Sequence, residues 1–234
     1  SPRPFYYDNP SWSPDGRQLV LNSPTGIVRV DANGNNLQML VASGSDPAWS
    51  PDEQKIAYMS DGNLHILDFQ VGDTTLKVSP LPGWYRTPSW SPDGRKLVFA
   101  AHTLSPGPDG LLRENPIQIL QIDANGNNLQ TLIAPGYDPA WSPDGQKIAY
   151  MESDGIHVFD FQSHNNTTLP VPVPIPGYFN YPSWSPDGRQ LVFSSTAAFG
   201  NSTQILQVNV FPFTGPPTLA ASGYSPAWSP CFAY

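Results

Sequence analysis

The residues of this 234-residue chain best suited to chemistry are few and scattered. Gly223-Tyr224-Ser225-Pro226-Ala227 comes close to Gly-x-Ser-x-Gly, the pattern that lifts a serine nucleophile on a strand–turn–helix elbow. Here the flanks read as strands, and Asp46 and Asp138 stand at the same place in earlier repeats, so the segment reads as an ordinary connection. Asp31-Ala32-Asn33-Gly34-Asn35 spaces oxygen atoms as calcium loops do, but no remote bidentate glutamate follows. Asn-Gly is also the strongest short hairpin signal, which favours a plain turn. The four histidines (His65, His102, His157 and His164) show no zinc spacing. His65 and His157 match in position along the repeat and read as one structural residue used twice. Paired carboxylates for glycosidase chemistry depend on a separation that sequence does not reveal. The expectation is therefore no catalytic residue, no metal ligand, no cofactor and no enzyme.

What positions these residues is a repeat. Pro-Ser-Trp-Ser-Pro-Asp-Gly occurs at 10–16, 88–94 and 182–188, and Pro-Ala-Trp-Ser-Pro at 47–51, 139–143 and 226–230. The motif tryptophans Trp12, Trp49, Trp90, Trp141, Trp184 and Trp228 are 37 to 51 residues apart, the range of four-stranded propeller blades. Their fixed place in every repeat assigns them to packing between blades rather than to ligand stacking. In Ser-Pro-Asp-Gly, proline fixes φ, glycine supplies φ > 0, and Asp15, Asp93, Asp144 and Asp187 are suited to bonding nearby backbone. Short runs of alternating apolar residues follow, such as Leu64-His65-Ile66-Leu67. Odd repeats begin Pro-Ser-Trp, even ones Pro-Ala-Trp, and residues 31–38 recur at 123–130. The expected fold is all-β: one domain over residues 1–234, a six-bladed β-propeller built as three copies of a two-blade unit. Residues 1–7 align with 79–85, so the N- and C-terminal strands are expected to close the last blade. That blade lacks a counterpart of Leu64–Asp68, which leaves it three-stranded or the chain truncated.

The motif Trp-Ser-Pro-Asp-Gly-(Arg/Lys/Gln)-x-(Leu/Ile)-(Val/Ala)-(Phe/Tyr) resembles the WD40-like repeat of TolB-type propellers, and the resemblance covers essentially the whole chain. It is to the propeller alone: neither the additional α/β domain of TolB nor the hydrolase domain of the related peptidases has a match. The resemblance implies an extracytoplasmic location, periplasmic or secreted.

Composition narrows the partners. Charged residues make up 13% of the chain, about half the roughly 25% typical of soluble proteins. The net charge is −8 and the 11 basic residues are scattered, which argues against nucleic acid and against anionic membranes. No run approaches the ~18 apolar residues of a transmembrane helix. The single cysteine, Cys231, allows no internal disulfide, and Asn165, Asn166 and Asn201 begin glycosylation sequons. The chain opens at Ser1, as a mature form or a fragment would.

Propeller geometry gathers the connections between blades on one face. That face is expected to carry Tyr6, Tyr7, Trp84, Tyr85, Arg86, Tyr137, Asp138, Tyr178, Phe179, Tyr181 and Tyr224, with a long insertion at 101–116. An aromatic rim suits protein anchors or sugar stacking. The leading expectation is a non-catalytic protein-binding scaffold within a larger extracytoplasmic assembly. The alternative is a lectin-like, carbohydrate-binding propeller, with a channel-site enzyme ranked below both.

Overall fold

A computed structural model describes residues 7–76, 83–169, 177–197, 203–210, 218–223 and 225–229. Five antiparallel sheets are built in chain order. The first comprises β1 (Asp8–Trp12), β2 (Gln18–Ser23), β3 (Gly26–Asp31) and β4 (Gln38–Ala42). The second comprises β5 (Ser45–Trp49), β6 (Lys55–Ser60), β7 (Asn63–Asp68) and β8 (Gly72–Leu76). The third holds β9 (Gly83–Trp90), β10 (Lys96–Pro106), β11 (Leu112–Glu114), β12 (Gln118–Asp123) and β13 (Gln130–Ile133). The fourth holds β14 (Tyr137–Trp141), β15 (Lys147–Glu152), β16 (Gly155–Asp160) and β17 (Asn166–Thr168). The fifth holds β18 (Gly177–Trp184), β19 (Gln190–Ala197), β20 (Thr203–Asn209) and β21 (Thr218–Ser222).

Among the described residues the protein is thus a five-bladed propeller, and the expected count of six is corrected. Residues 226–229, which carry the sixth Pro-Ala-Trp, form no strand. A lone strand gains no ladder hydrogen bonds, and at least three strands are needed for an independently stable sheet. The N-terminal closing strand, residues 1–6, lies outside the described residues.

Each Ser-Pro-Asp-Gly turn is held the same way. Ser13 Oγ donates to Asp15 Oδ1 at 2.6 Å, that oxygen accepts the Arg17 N–H at 3.0 Å, and Ser13 Oγ accepts the Gln18 N–H at 2.9 Å. The hydrogen bond from Ser13, then that from the Arg17 backbone, holds the Asp15 carboxyl below its ordinary value. The same network recurs at Ser91–Asp93, Ser142–Asp144 and Ser185–Asp187. The insertion at 101–116 is a hairpin rather than an open loop. β10 runs on to Pro106 and pairs back with β11, and Gly110 N–H to Gly107 O at 2.9 Å closes its tip.

The blades pack through alternate side chains, as period-two strands require. Val20 and Ile27 of the first blade meet Trp49, Ile56 and Tyr58 of the second. Ala57, Met59, Leu64 and Ile66 on the opposite face of the second blade meet Trp90, Leu97 and Phe99 of the third. The fourth and fifth blades repeat this interface with Ala149, Met151, Ile156 and Val158 against Trp184, Leu191 and Phe193.

The motif residues also hydrogen-bond across the blade interfaces, and the serine of the odd motifs takes part through its side chain. The Trp90 and Trp184 indoles donate to the carbonyls of Ala48 and Ala140, both at 3.1 Å. In the reverse sense, Ser11 Oγ accepts the Trp49 backbone N–H at 3.0 Å and Ser89 Oγ that of Trp141 at 3.1 Å. The indole N–H groups of Trp49, Trp141 and Trp228 are buried without a partner among the described residues.

Candidate functional site: an acidic channel with a narrow waist

The residue before each motif proline has left-handed backbone: Asn9, Asp46, Thr87, Asp138, Tyr181 and Ser225 have φ between 47° and 57°. In all five blades the register of the innermost strand slips at this point, a bulge that turns the side chain toward the propeller axis. Asn9 Nδ2 donates to Asp46 Oδ1. Thr87 Oγ1 donates to Asp138 Oδ1 at 3.3 Å, and the Tyr181 N–H donates to Asp138 Oδ2 at 3.2 Å. Ser225 Oγ donates to Asn9 Oδ1 at 2.9 Å. The sixth motif therefore contributes to this ring without building a blade.

The ring forms the waist between two cavities, because Asn9, Asp46, Thr87, Asp138 and Tyr181 line both. One, of about 360 Å³, is walled by the motif prolines and tryptophans. The other, of about 940 Å³, opens on the face of the inter-blade connections. Its wall holds four carboxylates (Asp8, Asp46, Asp61 and Asp138) against Arg86 and His102. Burial pushes the Asp138 carboxyl up to about 6, with the Tyr181 N–H partly opposing and the neighbouring charge of Asp46 adding to the rise. Asp46 is raised too, again by burial first, with the Asn9 hydrogen bond opposing.

Of the site residues expected from sequence, Trp84, Tyr85, Arg86, Tyr137, Asp138 and Tyr181 line this one cavity. Trp84 is 61% exposed, and its ring stacks on His102 with centroids 5.3 Å apart. Tyr85 is buried edge-on to Phe99 at 6.0 Å. Tyr7 is exposed and lies off the cavity wall. Tyr178 and Phe179 lie on β18. Tyr6 and Tyr224 fall outside the described residues. Sequence reasoning passed over Asp46 and Asn9 as site residues. Their shared place before the motif proline was the signal that could have found them.

A second cluster sits at the β15–β16 turn. One ligand atom each from Glu152, Asp154 and His157 lies within 4.8 Å of the others. His157, which is buried, places Nε2 2.8 Å from Asp154 Oδ1 and Nδ1 3.3 Å from Thr168 Oγ1. Tyr150 OH donates to Glu152 Oε1 at 3.1 Å. Two carboxylates and an imidazole are a donor set suited to a first-row divalent cation. The three residues span six positions in a pattern unlike zinc-finger spacing, which is why sequence reading missed them.

No protein-family model matches the chain. An uncharacterised protein of Agrobacterium fabrum is 25% identical over 166 residues, 64% of this chain and 52% of that protein. The Tol-Pal system protein TolB of Alcanivorax borkumensis is 34% identical over 84 residues, 33% of this chain and 19% of that protein. The structure described as TolB from Agrobacterium tumefaciens superposes with a TM-score of 0.75 at 20% identity, covering 97% of this chain and 87% of that one. The chain is a TolB-like β-propeller domain. It spans about half the length of the Agrobacterium fabrum relative and about a fifth of the Alcanivorax one. Its TolB relatives are periplasmic, in agreement with an extracytoplasmic location. Among the described residues no helix is long and apolar enough to cross a membrane.

The TolB-like propeller also shares its fold with an oligogalacturonate lyase in complex with manganese, at a TM-score of 0.64 and 14% identity over 93% of this chain and 66% of that one. With the Glu152/Asp154/His157 cluster, this overturns the expectation of a non-catalytic scaffold that is not an enzyme. A donor set able to hold a metal is present, and the architecture is one that also serves carbohydrate lyases.

Proposed function

We propose that this TolB-like propeller recognises a partner protein at its channel mouth, by admitting a protruding cationic segment of that partner. The acidic cavity carries the reading: four carboxylates and one arginine line about 940 Å³ of open space. A cavity of one charge sign concentrates field lines and draws in opposite charge. Trp84, exposed at the rim, supplies a face for a guanidinium or ammonium group. A tetra-arginine peptide titrated into the protein at low salt tests the reading. Saturable binding that weakens about tenfold in both Trp84→Ala and Asp61→Asn supports it, whereas equal affinity for a tetra-glutamate peptide overturns it.

A second reading, cation-assisted chemistry on an acidic sugar polymer, is favoured by the convergence of Glu152, Asp154 and His157. When bound there, a divalent ion would supply Lewis acidity toward a carboxylate-bearing substrate. Calorimetric titration with Mn²⁺, repeated on His157→Ala, tests it. Heat of binding absent from the wild-type protein removes this reading.

A further inference from the structure

One position recurs beside the third strand of every blade and is filled differently each time. Ala32, Phe69, Ala124, Phe161 and Val210 hold it, and their N–H groups donate to the carbonyls of Arg17, Gln54, Arg95, Gln146 and Arg189 at 2.7 to 3.0 Å. In the second and fourth blades a phenyl ring there packs on the motif indole. Phe69 meets Trp49 edge-on with centroids 6.1 Å apart, and Phe161 stacks on Trp141 at 5.0 Å. In the fifth blade Val210 is buried in the cluster that holds Trp184. In the third blade the place falls to Ala124, which is only partly buried against the cluster that holds Trp90.

A methyl group is too small to fill the space of a phenyl ring, and a cavity of about 210 Å³ opens at Ala124, between the second and third blades. Ile66, Leu76 and Trp90, all buried, make its apolar end with Ala124. Asp52, Lys55 and Asp68 line its polar end. Lys55 Nζ lies 3.3 Å from Asp52 Oδ2 and 3.6 Å from Asp68 Oδ2, so two carboxylates share one ammonium and a negative charge is left over. The fourth blade repeats this polar part: Lys147 Nζ is 3.2 Å from Asp160 Oδ2, and Ser142 donates to Asp144 as Ser50 does to Asp52. At the apolar end Val158 and Leu169 match Ile66 and Leu76. The larger difference is Val210 in the place of Ala124.

We propose that this cavity binds a small arylalkylamine, with its ring on Trp90 and its ammonium group against Asp52 and Asp68. The ring follows from the two blades in which Phe69 and Phe161 cover the motif indole, since aromatic pairs gain more than their buried area alone. The ammonium follows from the surplus carboxylate at the polar end, where a charge-assisted hydrogen bond is available to a cation and repulsion meets an anion. An apolar pocket with a few convergent polar groups is the usual form of a small-molecule site. This cavity shares no lining residue with the channel mouth, so either site can fail without the other.

Phenethylamine is the probe, titrated into the isotope-labelled 234-residue protein and followed at the tryptophan indole N–H resonances by NMR. The Trp90 resonance is expected to shift saturably while that of Trp184 stays in place. Phenylacetate, which carries a ring and the opposite charge, binds at least tenfold more weakly. Ala124→Phe supplies the ring from the chain itself and abolishes the shift. Ala124→Val, the residue that Val210 already places in the fifth blade, weakens binding at least fivefold, and both variants are checked for an unchanged circular dichroism spectrum. The proposal is overturned by the absence of a saturable shift at Trp90, by equal affinity for phenylacetate, or by unchanged affinity in Ala124→Val. A shift at Trp84 with none at Trp90 overturns it too, and assigns the amine to the channel mouth.

Discussion

Ser225 donates a hydrogen bond to Asn9 at 2.9 Å, and the two residues are 216 positions apart in the chain. Asn9 passes the connection on to Asp46, so one amide bridges the last motif and the second blade across the waist. Replacing Asn9 by alanine removes both links and leaves a largely buried carboxylate short of a donor. Hydrogen bonds to charged groups contribute about 1.5–3 kcal/mol. Asn9→Ala is expected to lower stability at pH 7 within that range, read as a shift in urea midpoint at constant slope.

Asp138 gives stability a pH dependence whose sign is set by burial. Its carboxyl titrates near 6 in the folded protein against an ordinary value of 3.8. The folded state therefore holds the proton over a window in which the unfolded chain has released it. This contribution is fully present below about pH 4 and is lost as pH rises toward and through 6. Asp46 shifts in the same direction. Urea denaturation at intervals from pH 4 to 7 should show the fall, and Asp138→Asn should flatten it. An unchanged profile in the variant refutes the assignment.

Glu53 occupies the turn position held elsewhere by glycine. Its φ is 63°, beside 63°, 69°, 71° and 68° at Gly16, Gly94, Gly145 and Gly188. A side chain in this region costs about 1–2 kcal/mol, part of which glycine gives back through unfolded-state entropy. Glu53→Gly is expected to stabilise the protein by roughly 0.5–1 kcal/mol, and thermal melts read this as a higher midpoint.

Ser89 accepts the Trp141 N–H across the interface between the third and fourth blades. Ser89→Ala orphans that donor, at a cost of about 1–3 kcal/mol. Trp141 fluorescence and the denaturation midpoint should both move, while Ser105→Ala, on the projecting hairpin, should leave the midpoint in place.

Much of this architecture was legible in the sequence because the motif repeats its own physics. Trp-Ser-Pro-Asp-Gly encodes a turn locally: proline sets φ, glycine supplies the left-handed residue, and Asp15 and its counterparts bond the backbone two residues on. Alternation along Leu64–Leu67 encodes which side chains enter an interface. These are short-range constraints, and a sequence states them in full. The blade count was not of this kind. A motif can be present, as Pro226-Ala227-Trp228 is, without a sheet forming, because a sheet needs partner strands from elsewhere in the chain. The site was legible only in part: Trp84, Tyr85, Arg86, Tyr137, Asp138 and Tyr181 were expected on this face and line the cavity, whereas Asn9 and Asp46 were passed over. Asp46 and Asp138 look like loop residues in sequence. Only closure of the ring brings them to one waist, away from solvent, where burial raises their affinity for protons. Glu152, Asp154 and His157 converge only because the β15–β16 hairpin sets their ligand atoms on one side of a turn. Local backbone chemistry was thus written in the residues, whereas proximity between distant side chains, and the desolvation that follows from it, was decided by the tertiary structure.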